Sequence, residues 1–282
     1  MKEVKLSPNI IYIGDYAFES CKLNLLLPSK IKYIGANPFA GCLSLFSEES
    51  LENYILKDDT IYSKDGCIII SCCSQQSVFE FPAIIKIAGI GCFRNNNNLR
   101  TIILSNSTSA ICADSFYNCK HLTRIILGKH LHNIYGNPFV GNQGIEIYNA
   151  SKEFIVEEGL IINPSTKTLH SCCSISETVR IPEGVEIIGE YAFAENTFVK
   201  NIYAPYSLKS IEKGAFKWCE HINLYLYNNI DSIDKDAFEQ RPYGYLVITS
   251  CTLYNVSNSS YVKQYFEKSS FNSIKLKIKE LK

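Results

Sequence analysis

The residues with the strongest claim to chemistry are two adjacent thiol pairs, Cys72-Cys73 and Cys172-Cys173, set 100 residues apart in a chain of 282. Neighbouring thiols can bind a soft metal ion or cycle between thiol and disulfide. Successive residues on a strand point to opposite faces, however, so each pair is expected to divide between core and solvent. His130 and His132 could share a strand face and hold a metal, but no third ligand stands near them in the sequence. His121 and His221 fall at one position of a repeat, which suits a structural place near a turn. Asp231, Asp234 and Asp236 lack the glycine and distal glutamate of a calcium loop and read as turn residues and caps. Neither a Gly-x-x-x-x-Gly-Lys-Ser/Thr phosphate loop nor a Gly-x-Ser-x-Gly elbow is present. No catalytic, cofactor-binding or metal site is therefore expected.

The elements that would position any site come from a repeat. Phe18, Phe39, Phe93, Phe116, Phe139, Phe193, Phe216 and Phe238 keep one local pattern, at spacings of 21, 23, 23, 23 and 22 residues within runs. Five residues before each stand Ile13, Ile34, Ala88, Ile111, Ile134, Ile188, Ile211 and Ile233, a column that must face inward. The next position holds Gly14, Gly35, Gly89 and Gly189 among other types, which suggests a tight turn that glycine tolerates best. Three residues after the phenylalanine come Cys21, Cys42, Asn96, Cys119, Asn142, Asn196, Cys219 and Arg241. Small thiol and amide side chains stacked there can hydrogen-bond to the adjacent coil's backbone, in a turn expected to have no ladder of its own. Arg241 cannot stack and is expected to end the column.

After each turn runs an L-x-x-I-x-L segment, as in Leu99 to Leu104 and Leu122 to Leu127, which predicts one short, half-buried strand per coil and a parallel sheet. Two intervals, Phe39 to Phe93 and Phe139 to Phe193, are each 54 residues long and predict β-hairpin insertions at about 55–75 and 155–175. Their turns are placed at Lys64-Asp65-Gly66 and at Asn163-Pro164-Ser165-Thr166. Sliding the sequence by 100 residues aligns Ser71-Cys72-Cys73-Ser74 with Ser171-Cys172-Cys173-Ser174, so the chain carries one long unit nearly twice. A single domain over 1–282 is expected, with repeats at about 8–250 and a C-terminal cap at 251–282. Within that cap, residues 259–268 read as a short helix with Tyr261 and Tyr265 on one face. Ile274 to Lys279, alternating apolar residues with lysine, reads as an edge strand.

The segments Ile13-Gly14-Asp15-Tyr16-Ala17-Phe18-Glu19-Ser20-Cys21 and Ile181-Pro182-Glu183-Gly184-Val185 resemble the repeat of the BspA-like leucine-rich repeat family. The resemblance covers roughly residues 8 to 250. It implies a right-handed leucine-rich repeat solenoid, and with the readings above the fold expected is a right-handed parallel β coil with short turns or helical segments, two β-hairpin insertions and a C-terminal capping helix. It also implies a role in protein recognition; many relatives are exported surface proteins linked to adhesion. The family supplies no catalytic residues to carry over.

Lysine plus arginine and aspartate plus glutamate both number 28, so no whole-chain field favours nucleic acid. No uninterrupted apolar run reaches the length of a membrane span. The residues from Met1 to Pro8 lack the apolar core of a secretory signal, which predicts a cytoplasmic protein if Met1 is the native start and a secreted or surface one if a leader was removed. Most of the twelve cysteines are explained by the repeat, and only Cys21 and Cys42 stand as column neighbours for a bridge.

Candidate partner-binding residues come from columns that are otherwise small or polar. Trp218 is the one bulky residue two places after the phenylalanine, and Tyr117 the one aromatic a single place after it. On the strands, Ile103, Ile126 and Tyr203 fall between two inward residues and are expected to form an apolar strip on the outer sheet face. The function expected is a non-catalytic protein-protein interaction scaffold, with a protein as partner and a glycan as a second class. The alternatives are a cell-surface adhesin and a metal or redox protein using the cysteine pairs.

Overall fold

Within each run of coils the L-x-x-I-x-L segments form strands that pair in parallel from one coil to the next, keeping their central residues inward. The computed structural model describes residues 3–219, 221–239, 250–254, 265 and 275–279. The chain divides into two units, Met1–Lys152 and Glu153–Lys282, and each is a parallel β-solenoid.

In the first unit the segments make a sheet of Glu3–Lys5, Asn24–Leu26 and Ser44–Phe46, and another of Val78–Glu80, Thr101–Ile103, Arg124–Leu127 and Glu146–Asn149. Among the described residues each of the eight phenylalanine turns is preceded by a second strand, contrary to expectation. It is two residues long and ends on the inward isoleucine column, as in Tyr12–Ile13 beside Tyr33–Ile34, and Ile87–Ala88 beside Ala110–Ile111 and Asn133–Ile134. The second unit repeats the plan, with Thr178–Arg180, Asn201–Tyr203 and Asn223–Leu226 on one sheet and Ile187–Ile188, Ser210–Ile211 and Ser232–Ile233 on the other. Lys275–Lys279 closes the edge of the former sheet, pairing with Ser250–Tyr254. Of residues 259–268 only Tyr265 is described, its hydroxyl donating to Asp234 O at 2.9 Å; Tyr261 and Arg241 lie outside the described residues.

The insertions are three-stranded antiparallel meanders rather than hairpins. Tyr54–Lys57, Thr60–Ser63 and Ile68–Cys72 make the first, and Ile155–Glu157, Leu160–Asn163 and Thr168–Cys172 the second. The extra strand enters through a two-residue turn, Asp58-Asp59 or Glu158-Gly159, with both residues at positive φ, a geometry that matches the twist of the flanking strands. The last strand of each meander also pairs in parallel with the next short strand, which joins insertion to solenoid.

The phenylalanines form stacked rows. Ring centroids lie 5.4 Å apart for Phe93 and Phe116, 5.5 Å for Phe116 and Phe139, and 5.2 Å and 5.0 Å along Phe193, Phe216 and Phe238. The turns carrying them are ladders in their own right. Phe93 N donates to Ser115 O at 2.8 Å and Asn95 N to Tyr117 O at 2.9 Å, and Phe193 N donates to Ala215 O at 2.8 Å. The thiol and amide column adds a second tie between coils: Cys119 Sγ donates to Phe93 O at 3.0 Å, Asn142 Nδ2 to Phe116 O at 2.6 Å and Cys219 Sγ to Phe193 O at 2.9 Å. Among residues 3–219 the connectors are turns without helical segments.

The glycine column is not where the chain turns left-handed. Positive φ falls two residues after the phenylalanine, at Ser20, Asn95, Asn118, Glu195 and Trp218, and two before it at Tyr16, Asp114 and Tyr191. The column glycines answer to crowding instead: a Cβ on Gly89 would sit 2.5 Å from Ile69 O, while one on Gly14 would meet nothing closer than 3.6 Å. Gly89→Ala is therefore expected to destabilise the fold by about 1–3 kcal/mol, and Gly14→Ala to stay within about 0.5 kcal/mol of the parent. Urea unfolding of the two variants side by side measures the difference, and equal costs would refute the crowding argument.

Candidate binding surfaces

Register fixes which side chains line the outer sheet faces. In the first unit Glu80, Ile103, Ile126 and Tyr148 stand opposite one another on successive strands. Ile103 and Ile126 are half-buried neighbours, as their strand positions predict, and exposed Tyr148 extends the row. The guanidinium of Arg124 lies 5.4 Å from the Tyr148 ring and pairs with Glu146 at 3.1 Å.

In the second unit the matching row is Arg180, Tyr203 and Tyr225. Tyr203 stacks on Tyr225 with centroids 4.4 Å apart and ring planes at 6°, and the Arg180 guanidinium sits 4.2 Å from the Tyr203 ring on the neighbouring strand. Tyr206 and Tyr227, with centroids 5.3 Å apart, add a second aromatic pair at the strand ends, and Tyr206 is exposed. The strip expected from Ile103, Ile126 and Tyr203 thus consists of two rows on separate sheets. Tyr225 was a missed member, readable from the alternation of Ile222, Leu224 and Leu226 around it. A further missed pair is Tyr12 and Tyr33, exposed and stacked at 4.7 Å on the short strands.

Tyr117 and Trp218 sit in turns and are engaged by cations. Arg94 lies 3.7 Å from the Tyr117 ring and 5.1 Å from that of Tyr16, while its Nε reaches Glu19 at 2.7 Å and its Nη1 Asp114 at 3.1 Å. Lys217 Nζ lies 4.8 Å from the Trp218 ring and 2.8 Å from Glu239. Both aromatics are half-buried, which makes them parts of a turn lattice rather than bare anchors.

The cysteine pairs do not divide between core and solvent. Cys72, Cys73, Cys172 and Cys173 are all buried; the strand ends at the first cysteine of each pair, so alternation does not extend to the second. Cys73 Sγ donates to Phe39 O at 3.1 Å, and Cys72 accepts from Thr60 Oγ1 at 3.2 Å. Burial pushes Cys72 up to about 12 and Cys173 up to about 11, which opposes the thiolate form that metal binding and disulfide exchange require. Cys21, exposed, and Cys42, buried, are free thiols. The His130 and His132 rings lie 6.4 Å apart, and among the described residues no group of three His, Cys, Asp or Glu side chains is placed to hold a metal ion. Asp234 Oδ1 accepts from Asp236 N at 2.8 Å, in keeping with a turn role.

The repeat plan, the phenylalanine rows and the column spacing all find a match among known families: the description BspA type Leucine rich repeat region fits six copies, over residues 1–67, 43–146 and 165–281. The chain belongs to the BspA type leucine-rich repeat family. Solved structures resembling this BspA type chain include a leucine rich cell surface protein from Faecalibacterium prausnitzii, at 19% identity and TM-score 0.58, covering 98% of this chain and 79% of the other. A leucine-rich repeat protein from Eubacterium ventriosum follows at 18% identity and TM-score 0.54, covering 87% and 78%. The pneumococcal vaccine antigen PcpA matches at 15% identity and TM-score 0.55, covering 100% and 78%. At these identities the likeness is one of fold. A search of curated proteins found no match. Among the described residues no helix is long and apolar enough to cross a membrane.

Proposed function

We propose that this BspA type repeat protein is a non-catalytic scaffold that binds a protein partner through the outer faces of its long parallel sheets. The observation that carries this reading is the stacked Tyr203 and Tyr225 pair beside Arg180. Tyrosine and arginine dominate the energetically important contacts of protein interfaces, because each offers a large, stiff contact area with a polar end. Here the stacking holds them in place before any partner arrives, which lowers the ordering cost of binding. Ile103 and Ile126 give the first unit an apolar counterpart, with Tyr117 and Trp218 as lesser contributors in the turns. The single-domain organisation and the right-handed sense of the coil belong to the same proposal.

A surface location is the second part of the reading. It is supported by the fold likeness to a protein described as a cell surface protein. Free thiols are compatible with an oxidising exterior here, because eight of those described are buried away from oxidants.

The test compares proteins retained from the native source by the immobilised intact chain and by two double variants, Tyr203→Ala with Tyr225→Ala and Ile103→Asp with Ile126→Asp. A partner of the sheet faces is expected to lose about tenfold or more in affinity with at least one variant, while circular dichroism shows the fold kept. Undiminished retention of every captured protein by both folded variants sinks the sheet-face reading. Protease accessibility of the protein on intact cells separately tests the surface location.

A further inference from the structure

The first insertion leaves an edge of the long sheet open. Thr101 N donates to Ser77 O at 3.0 Å and Phe81 N to Ile103 O at 2.9 Å, so residues 77, 79 and 81 turn their backbone groups to the strand Thr101–Ile103. By the alternation of a parallel ladder, Val78 and Glu80 turn their N–H and C=O groups the other way. No described residue pairs with them there, because Val78–Glu80 is the last strand of its sheet. The preceding long strand, Ser44–Phe46, ends its own sheet too, and its outward Leu45 N is taken by Asp59 Oδ1 at 2.8 Å.

Beside this edge lies a cavity of about 330 Å³ between the strand and the meander. Its apolar wall is Ile55, Tyr62, Phe79, Ile84 and Ile85, of which Ile55 and Ile84 are exposed. The charged residues lining it are Asp58, Asp65 and Glu80 against Lys57, an excess of carboxylates. Edge strands are ordinarily blunted by shortness, charge, proline or a bulge; Val78-Phe79-Glu80 is short and carries one carboxylate, but no lysine, proline or bulge.

The internal duplication sharpens the contrast. The equivalent strand, Thr178–Arg180, also ends its sheet, but the outward groups of Thr178 are met locally: Thr178 N donates to Ser176 Oγ at 3.3 Å and Ser176 Oγ donates to Thr178 O at 2.8 Å. The first copy has Gln76 in place of Ser176. Tyr62, Phe79 and Ile84 correspond to Ile162, Val179 and Gly184, and Glu80 to Arg180. Both copies leave an edge, but the larger apolar walls, the acidic charge and a first outward residue without a serine partner occur together in the first copy alone of the two.

We infer that the edge strand Val78–Glu80 is a strand-addition site. It takes an extended segment of a partner protein that alternates apolar residues with lysine or arginine. Main-chain bonds to Val78 and Glu80 hold the segment, an apolar side chain enters the cavity, and the flanking cations meet Asp58, Asp65 and Glu80. This site meets the outer sheet face at Glu80, but its main-chain bonds to Val78 and Glu80 and its cavity do not depend on the Ile103 and Ile126 row.

Calorimetric titration of the full chain with a blocked hexapeptide alternating lysine with leucine tests it, alongside a hexapeptide alternating glutamate with leucine. The lysine peptide is expected to bind saturably and the glutamate peptide not to bind. Val78→Pro removes an outward N–H without touching the ladder to Thr101–Ile103, and Glu80→Lys reverses a charge on an exposed side chain. Each is expected to weaken the lysine peptide about tenfold or more. Hydrogen exchange at the Val78 and Glu80 amides of the parent should slow on binding. Absent saturation, equal binding of the two peptides, or unchanged binding and exchange in the folded variants overturns the inference.

Discussion

Phe116→Ala lowers the unfolding free energy of the Met1–Lys152 unit by about 3–5 kcal/mol, whereas Phe18→Ala costs about half as much or less. Phe116 is fully buried between Phe93 and Phe139, with ring planes at 21° and 9° to its neighbours. The hole left by alanine cannot close by letting the coils approach. Their spacing is set on both sides by backbone bonds, Phe93 N to Ser115 O at 2.8 Å and Phe116 N to Pro138 O at 2.9 Å, and by the Cys119 thiol on Phe93 O. The lost transfer energy and the unfilled cavity therefore add. Phe18 is half-buried and stacks on Phe39 alone, at 6.0 Å, so solvent already meets part of its surface and less is lost. Urea unfolding of both variants at constant m-value measures the difference. Equal costs would mean that the stacked row is not the element that resists compression.

Much of this architecture was legible because stacking puts like residues at like positions. All eight members of the isoleucine column are buried, and the cysteine and asparagine column bonds to the coil before it as its small polar character implies. The features that escaped are those with no period to read. A two-residue strand such as Ile87–Ala88 has no room for alternation. The strand Tyr54–Lys57 is joined by Asp58-Asp59, a pair that carries no glycine to announce a turn. The left-handed positions hold Tyr16, Glu195 and Trp218, types that say nothing of positive φ, because backbone bonds to the next coil impose the conformation: Tyr16 N donates to Ala36 O, and Trp218 N to Glu239 O.

The candidate sites divide along the same line. That Ile103 and Ile126 are neighbours follows from the repeat register, and Tyr225 could have been added to Tyr203 by the same count. That Tyr117 is held by Arg94 requires knowing that side chains one coil apart in the same turn column reach each other. The open edge at Val78–Glu80 depends on where an insertion leaves the sheet. The length of the interval predicts an insertion but not which strand loses its partner.

The cysteines supply the largest expected effect of solution conditions, a steep loss of stability in alkali. Burial pushes Cys42 up to about 11 and both Cys72 and Cys119 up to about 12, from an ordinary value of 9.0, and it also raises Cys73 and Cys92. Below pH 9 a thiol is protonated in both states and contributes no pH dependence. Between 9 and the folded value only the unfolded chain releases the proton, so the unfolded state is favoured by about 1.4 kcal/mol per pH unit for each thiol. Cys42, Cys72 and Cys119 all belong to the first unit, and together they give it a slope of about 4 kcal/mol per pH unit. Against a total stability of about 5–15 kcal/mol, that unit should unfold within about one to four pH units above 9. Circular dichroism and urea midpoints followed from pH 7 to 11 should be flat to about pH 8.5 and then fall, with Cys119→Ala making the fall shallower. Alkylation at pH 8 gives an independent reading: exposed Cys21 should react ahead of the eight buried thiols, which become reactive when urea is added. A level profile through pH 10.5, or prompt alkylation of Cys72 and Cys73 in the folded chain, would place these thiols in contact with water and return the adjacent pairs to consideration as redox groups.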